Sequence, residues 1–351
     1  MIIYPLPGLG RVAAIGAALS LAAACATAPA AAPPPRAATS APSHTPRSSP
    51  APHLTLREAE RIYAQYARLN REIYSVKGVG LQKTLAGLAL ELSRADYRLA
   101  VKEGWQPTSP PKVVDTVEMT IARVPPGRPQ WFVATLKYAK AGASRTHLIF
   151  QSSSATAGIT GWRVVAGATA AAGQTLPPIA RDANGIAEAL PEDAGGLVAT
   201  PRQVAGAHAR WVSNLDGTAA SEKQILTADG YTSATVQSRR AERAELRGQW
   251  RYKMRTTHVG TVYGLRTRTG GALVWYALRE QHIFRVAVPG AAPVEFTRRR
   301  GPRVLSSGRS FTRAVQLYAA GWFLAVVPAA GPGRRAKVTG DWYSTLSVRG
   351  S

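Results

Sequence analysis

The chain has 351 residues, of which 44 are Lys or Arg and 20 are Asp or Glu, a formal net charge of +24, and it contains one cysteine. A single cysteine excludes a disulfide within the chain and any cysteine-built zinc site. The excess of positive charge points to anionic partners.

Residues 12–24 are apolar or small apart from Ser20, and Arg11 precedes them. A positive flank, a short apolar stretch and a small-residue cleavage site describe a secretory signal peptide. A spanning helix needs about 20 apolar residues, so this run is too short to cross a membrane. It ends in Leu21-Ala22-Ala23-Ala24-Cys25, which resembles a bacterial lipobox, whose cysteine takes a diacylglyceryl group. Ala23 and Ala24 fit that pattern; the leucine usual three places before the cysteine is here Ala22, with Leu21 one place further back. Ordinary cleavage nearby, for instance after Ala28, is the alternative. Residues 1–25 are expected to be a lipoprotein signal peptide with Cys25 the lipidation site, and two acyl chains suffice for stable membrane attachment. Residues 26–53 are almost wholly Ala, Pro, Ser and Thr and are expected to be a disordered tether. At about 3.1 Å per residue it reaches about 85 Å when stretched.

About 300 residues remain, enough for two ordinary domains. Thr55-Leu56-Arg57-Glu58 has the form of a capping box. Behind it Ala59, Ile62, Tyr66, Leu69 and Ile73 make one helical stripe, and Leu81, Leu85, Leu88, Leu92, Ala95 and Leu99 a second. Residues 113–124, 130–138, 147–151 and 162–166 are rich in β-branched and aromatic residues between Pro/Gly turns and read as antiparallel strands. Residues 168–200 are harder to read. Asp182-Ala183-Asn184-Gly185 within them is a turn, since a calcium loop places its glycine at position six.

Thr200-Pro201-Arg202-Gln203 restarts the scheme with a cap, a proline and a capping-box glutamine. Val204, His208, Trp211 and Leu215 form the next stripe, and an Arg-rich helix is expected within residues 231–247. Strands are expected at 251–259, 261–267, 273–278, 282–288, 315–327 and 342–348. The halves echo each other: Trp131-Phe132-Val133-Ala134 matches Trp322-Phe323-Leu324-Ala325, and each is followed by a further tryptophan strand. The fold expected is α+β, two tandem domains at 54–199 and 200–351, each with helices packed on an antiparallel sheet. By analogy the shape is a cystatin-like or nuclear-transport-factor-two-like cone.

The chain resembles a group of secreted lipoproteins from high-GC Gram-positive bacteria, classed as a family of unknown function. The resemblance rests on Gln130-Trp131-Phe132-Val133-Ala134, Gly161-Trp162-Arg163-Val164-Val165, Leu176-Pro177 through Asp182-Ala183-Asn184-Gly185, Leu197-Val198-Ala199-Thr200-Pro201 and His208. It covers most of residues 55–351 and implies a lipoprotein of two domains. It supplies no activity and no catalytic residues.

Chemistry is sparse in the sequence. There is no His-x-x-x-His, no Gly-x-Ser-x-Gly, no P-loop and no dinucleotide-binding glycine turn. No catalytic residue, metal ligand or cofactor is expected; Asp115 and Glu118 are the only acids near a sheet cavity. His208 and Trp211 are candidates for lining a cavity, although a core histidine bonded to backbone explains His208 as well. Residues 1–200 carry 20 basic and 12 acidic side chains, residues 201–351 carry 24 and 8. Arg239, Arg240, Arg243 and Arg247 share one short helix, and Arg298, Arg299, Arg300 and Arg303 share one loop. Both groups are candidates for contact with anionic lipid headgroups or wall polymers. The export signal and the lack of a recognition motif argue against nucleic acid. The function expected is a lipid-anchored, extracytoplasmic binding or scaffolding protein of the cell envelope; the alternative is a hydrolase or other enzyme acting on a cell-wall component.

Overall fold

The computed structural model describes residues 54–75, 78–104, 114–138, 144–154, 158–217, 220–246, 248–297 and 299–351. The signal peptide with Cys25, the expected tether, Arg247 and Arg298 lie outside the described residues.

The first helix, α1 (Leu56–Ser75), begins at the expected capping box: Glu58 Oε2 accepts from the Thr55 amide at 2.8 Å, and Thr55 Oγ1 accepts from the Glu58 amide at 3.3 Å. The second apolar stripe divides. Leu81–Lys83 is a 3-10 turn, and α2 (Gly87–Lys102) follows it. Four strands then form an antiparallel meander: β1 (Val114–Arg123), β2 (Trp131–Tyr138), β3 (Arg145–Ser152) and β4 (Trp162–Ala170). The stretch that was hard to read contains the Asp182 turn, whose Oδ1 accepts from the Asn184 and Ile186 amides, and a short strand, β5 (Ala187–Leu190).

The second half begins with α3 (Pro201–Ser213), where Thr200 and Gln203 complete a capping box, and continues with α4 (Ala220–Ile225) and α5 (Ser233–Glu245). A second meander comprises β6 (Trp250–Arg266), β7 (Ala272–Val286), β8 (Ala314–Val327) and β9 (Lys337–Gly350), with α6 (Arg300–Ser306) between β7 and β8. The strands expected at 251–259 and 261–267 are one, β6, because the Gly260 break is absorbed as a bulge between Val259 and Tyr263. The strands expected at 273–278 and 282–288 are likewise one, β7, whose pairing with β8 runs without a break from Ala272 to Arg285.

The two meanders do not fold as two domains. They join edge to edge at β4 and β9, and β5 closes the ring by pairing parallel to β1 and antiparallel to β6. The result is one closed, mixed nine-stranded barrel, ordered β1-β2-β3-β4-β9-β8-β7-β6-β5. The expected tandem helix-on-sheet domains and the cystatin-like cone are thereby corrected. The reason lies in strands that are apolar on both faces. Phe132, Ala134 and Leu136 face α1, while the alternating Trp131 and Val133 face the other way and would meet water in an open sheet. Closure buries that second face. Trp131, Tyr263, Trp275 and Trp322 fill the barrel interior, the small Ala166, Ala168, Ala277 and Ala320 make room for them, and Leu92 of α2 packs among them.

Outside the barrel, α1 covers the first meander by setting Ile62, Tyr66 and Ile73 on Phe132, Phe150 and Trp162. Helix α3 covers the second, with Val204, Ala205 and Trp211 packed among Tyr276, Leu278 and Phe323.

The β4–β9 seam depends on Gly340. A Cβ there would stand 2.5 Å from the Thr169 carbonyl oxygen and 2.8 Å from Ala170 backbone atoms. Gly340→Ala is therefore expected to destabilise the protein by about 1–3 kcal/mol, as overpacking does. Because one barrel spans both meanders, amide exchange should quicken in β2 and β3 as well as in β8 and β9. Quickening confined to the second meander would show two independently stable units.

Candidate functional site

Strand alternation along β7 puts Tyr276, Leu278, Glu280, His282 and Phe284 on the outer face, beneath α3 and α5. The acid and the histidine among them are sealed: Glu280 is 5% exposed and His282 0%. Glu280 Oε2 is the hub. It accepts from Tyr343 Oη at 2.8 Å, from His282 Nε2 at 3.1 Å and from Arg239 Nη2 at 3.3 Å. An ionised carboxylate only accepts, so His282 carries its proton on Nε2, and its Nδ1 accepts from the Tyr252 hydroxyl at 2.7 Å. Arg239 also lies 3.7 Å from Glu242, which in turn pairs with Arg299 at 3.4 Å.

Burial pushes the Glu280 carboxyl up, but the His282 hydrogen bond and the Arg239 charge outweigh it and hold the group well below the usual carboxylate range. Burial lowers His282, with Glu280 opposing, so the imidazole is neutral. Burial would lower Arg239 too, but the Glu280 charge reverses this and keeps the guanidinium protonated. The set thus contains a carboxylate–imidazole–phenol chain of the sort used in proton relays, held where no substrate reaches it.

His208 stands nearby on α3. Its Nε2 donates to the Tyr231 carbonyl at 3.1 Å, its Nδ1 accepts from Tyr276 Oη at 2.9 Å, and Phe323 meets its ring edge to face at 4.8 Å. Burial lowers its pKa, against the Tyr231 hydrogen bond and Asp229. His208 is a fully bonded core histidine, and Trp211 is buried in the same core.

The arginines of the sequence clusters that are among the described residues each have a partner within the fold. Arg239 is buried on Glu280. Arg240 donates to the Leu215 and Gly217 carbonyls at 2.8 and 3.0 Å, and Arg243 to Asp216 and the Leu215 carbonyl, so α5 clasps the turn after α3. Arg300 Nε pairs with Glu103 at 2.8 Å and Arg303 lies 3.7 Å from the same carboxylate, tying α6 to α2. The stretch expected as a loop is in this part the helix α6. Glu118 pairs with Arg181 and Lys137 at 3.0 and 3.2 Å, and Asp115 is exposed. No group of His, Cys, Asp and Glu able to hold a metal occurs among the described residues.

The sequence did not reveal the Glu280 hub, because a strand break was expected between Leu278 and His282. The signal available was the acid and histidine two residues apart, continuing the alternation of Tyr276 and Leu278.

A cleft of about 180 Å³ opens between α1 and the β3–β4 side of the barrel. Ile62, Gln65, Tyr66 and Leu69 form one wall, Phe150 and Trp162 the base, and Thr160, Lys83 and Arg163 the rim. Tyr66 stands edge to face on Phe150 at 5.1 Å. Arg163 fixes the rim by donating to the carbonyls of Gln82 at 3.1 Å and Thr160 at 2.6 Å.

A family described as a domain of unknown function, DUF8094, matches residues 50–348. The chain belongs to this family. The DUF8094 match runs from just before α1 nearly to the end of β9, so both meanders and both sites fall within one family domain. No curated protein and no solved structure is detectably similar to the chain.

The hub predicts a pH dependence. A carboxyl held below its unfolded value of 4.5 contributes stability above that pH and loses it as pH falls further. Glu280→Gln is expected to cost about 3–5 kcal/mol at neutral pH by leaving Arg239 underpaired. The gap to wild type should narrow below about pH 4.5. Urea denaturation at several pH values reads this directly, and a gap that does not change with pH would mean that Glu280 is not ionised.

Proposed function

We propose that this chain is a lipoprotein of the secreted kind found in high-GC Gram-positive bacteria, anchored through Cys25 at the extracytoplasmic face of the cell membrane. Its DUF8094 domain acts by binding and scaffolding in the envelope, without catalysis. The observation that carries this reading is the cleft. Aromatic and apolar walls with a few convergent polar groups are the make-up of a small-molecule site. Its volume of about 180 Å³ is small for a ligand site and suits a single ring-sized group. Gln65 and Thr160 offer hydrogen bonds to such a ring, and Lys83 beside Arg163 favours a carboxylate or phosphate on it.

The second reading, a hydrolase of a wall component, draws on the Glu280–His282–Tyr252 chain. It requires α5 to leave the barrel so that substrate reaches Glu280. The buried Arg239–Glu280 pair opposes that movement, because separating it leaves both charges uncompensated.

Cys25→Ser in the producing cell is expected to move the protein from the membrane fraction to the medium, or to leave an uncleaved precursor. A wild-type protein already soluble and beginning after Cys25 would remove the lipoprotein reading. For the cleft, calorimetric titration of the full-length chain should show N-acetylmuramic acid binding more tightly than N-acetylglucosamine, which lacks the carboxylate. Lys83→Ser should erase most of that difference, and Trp162→Ala should weaken both. Absence of heat with either sugar would leave the cleft as packing between α1 and the barrel.

A further inference from the structure

We infer that an exposed basic face on β6–β9 docks a linear polyanion of the polyphosphate or poly(phosphodiester) kind. The strands of the second meander are 17, 15, 14 and 14 residues long, against 10, 8, 8 and 9 in the first, so their far ends extend beyond the ring. Pairing of β5 with β6 reaches only Gly264 and Leu265, which leaves β6 from Trp250 to Val259 without a strand on its outer side. On one face these ends bury Tyr252, Glu280, His282 and Phe284 under the helices. The other face carries Arg251, Lys253, Arg255, Arg285 and Arg349, all exposed.

Register brings these five together although they lie almost 100 residues apart in the chain. Arg251 stands directly opposite Arg285; Lys253 is opposite Ile283, which is opposite Gln316, which is opposite Arg349. Arg255 is opposite Gln281, which pairs with Tyr318. Successive cations along β6 are therefore about 6.8 Å apart and neighbouring strands about 4.8 Å apart. No acid stands opposite any of them, and none has an ion-pair partner among the described residues. Glu280, Glu242 and Asp216 are taken by Arg239, Arg299 and Arg243. Between the cations, Gln281 Nε2 donates to Tyr318 Oη at 3.0 Å and Tyr318 Oη donates to Gln316 at 2.7 Å, a preordered polar floor.

Like charges directly opposite on a sheet destabilise it, so the Arg251–Arg285 pair costs the fold something that no neighbour in the chain returns. Charged residues on an edge strand do guard against edge pairing. That purpose is served by β6 alone, whereas this row runs inward to β7 and β9. An anion laid across the face neutralises all five.

The shape selects a chain over a bilayer. Helix α2 stands on this same side of the sheet, linked to it by Arg279–Glu91 at 2.7 Å and by Arg98 donating to the Leu346 carbonyl at 3.0 Å. The face is thus a trough with a helix for one wall. A linear polymer lies in a trough; a flat membrane does not reach its floor. This surface is separate from the aromatic cleft, and its test does not depend on what the cleft binds.

The experiment titrates labelled long-chain inorganic polyphosphate with the full-length chain, alongside phosphatidylglycerol and phosphatidylcholine vesicles. Polyphosphate should bind, and binding should weaken steeply between about 50 and 200 mM salt. The triple variant Arg251→Ser, Lys253→Ser, Arg255→Ser should bind at least about tenfold more weakly, with the log–log salt slope shallower by about 2, at about 0.7 per lost phosphate contact. The exposed triple Arg268→Ser, Arg334→Ser, Arg335→Ser removes the same charge elsewhere and should bind like wild type. Thermal melting checks folding, and the double variant Arg285→Ser, Arg349→Ser gives an independent reading on inner strands. Equal loss in both triples would mean that net charge alone attracts the polymer. Phosphatidylglycerol vesicles bound more tightly than polyphosphate, through the same residues, would mean a bilayer partner. Either result, or no binding of polyphosphate, overturns the proposal.

Discussion

Two four-stranded meanders, each apolar on both faces, have one way to remove their second face from water, and that is against each other. The β4–β9 seam and the short β5 make this possible. Burying each interior tryptophan or tyrosine is worth on the order of 2–3 kcal/mol, and the barrel holds Trp131, Tyr263, Trp275 and Trp322 in one cluster. Neither half owns that cluster. The seam itself is only two residue pairs long, Thr169–Asp341 and Ala170–Gly340, so closure is driven by the interior and merely permitted by the backbone at Gly340. Helices then cover what remains, α1 on the first meander and α3 to α5 on the second.

The Glu280 hub follows from that arrangement. With the interior face of β7 committed to Trp275 and Ala277, the alternating residues are forced outward under α5. A buried ion pair is weak evidence for stability, since burying its charges costs about as much as their attraction returns. What it supplies is position. Arg239 brings α5 over β7 and Tyr343 brings β9 to the same carboxylate oxygen, while Tyr252 ties β6 to the set through His282. The absence of exposure at Glu280 and His282 is then the condition for that role, which is why a relay-like chain of groups has no opening to solvent.

Local features of this fold were legible in the sequence. The capping boxes at Thr55 and Thr200, the α1 and α3 stripes and most strand centres depend on neighbours within a few residues. The repeat between Trp131-Phe132 and Trp322-Phe323 was also visible, but its meaning was not. Repetition reads equally well as two domains or as two halves of a ring, and the choice rests on whether Trp131 and Trp275 share a core. Proximity in sequence does not say which cations share a surface. Arg239, Arg240 and Arg243 are neighbours on a helix, yet Arg239 turns to Glu280 while Arg240 and Arg243 both clasp the turn at residues 215–217. The cations that do share a surface, Arg251, Arg285 and Arg349, sit on three strands and carry no contiguous signature. For the cleft, Lys83 and Trp162 come from segments 79 residues apart, so no local pattern announces it.

The distribution of charge completes the picture. The second half has 24 basic side chains and only 8 acidic ones, and several of those acids sit on the helix-covered side of the sheet. Exposed ion pairs such as Arg243–Asp216 contribute about 0–1 kcal/mol each, so the fold gains little from its surplus of arginine. A surplus that adds little stability still repels itself. At the free end of β6–β9 it is concentrated in register, over a floor of uncharged groups that includes the bonded Gln281, Tyr318 and Gln316. Concentration on that one face makes physical sense when an opposite charge arrives from outside the molecule.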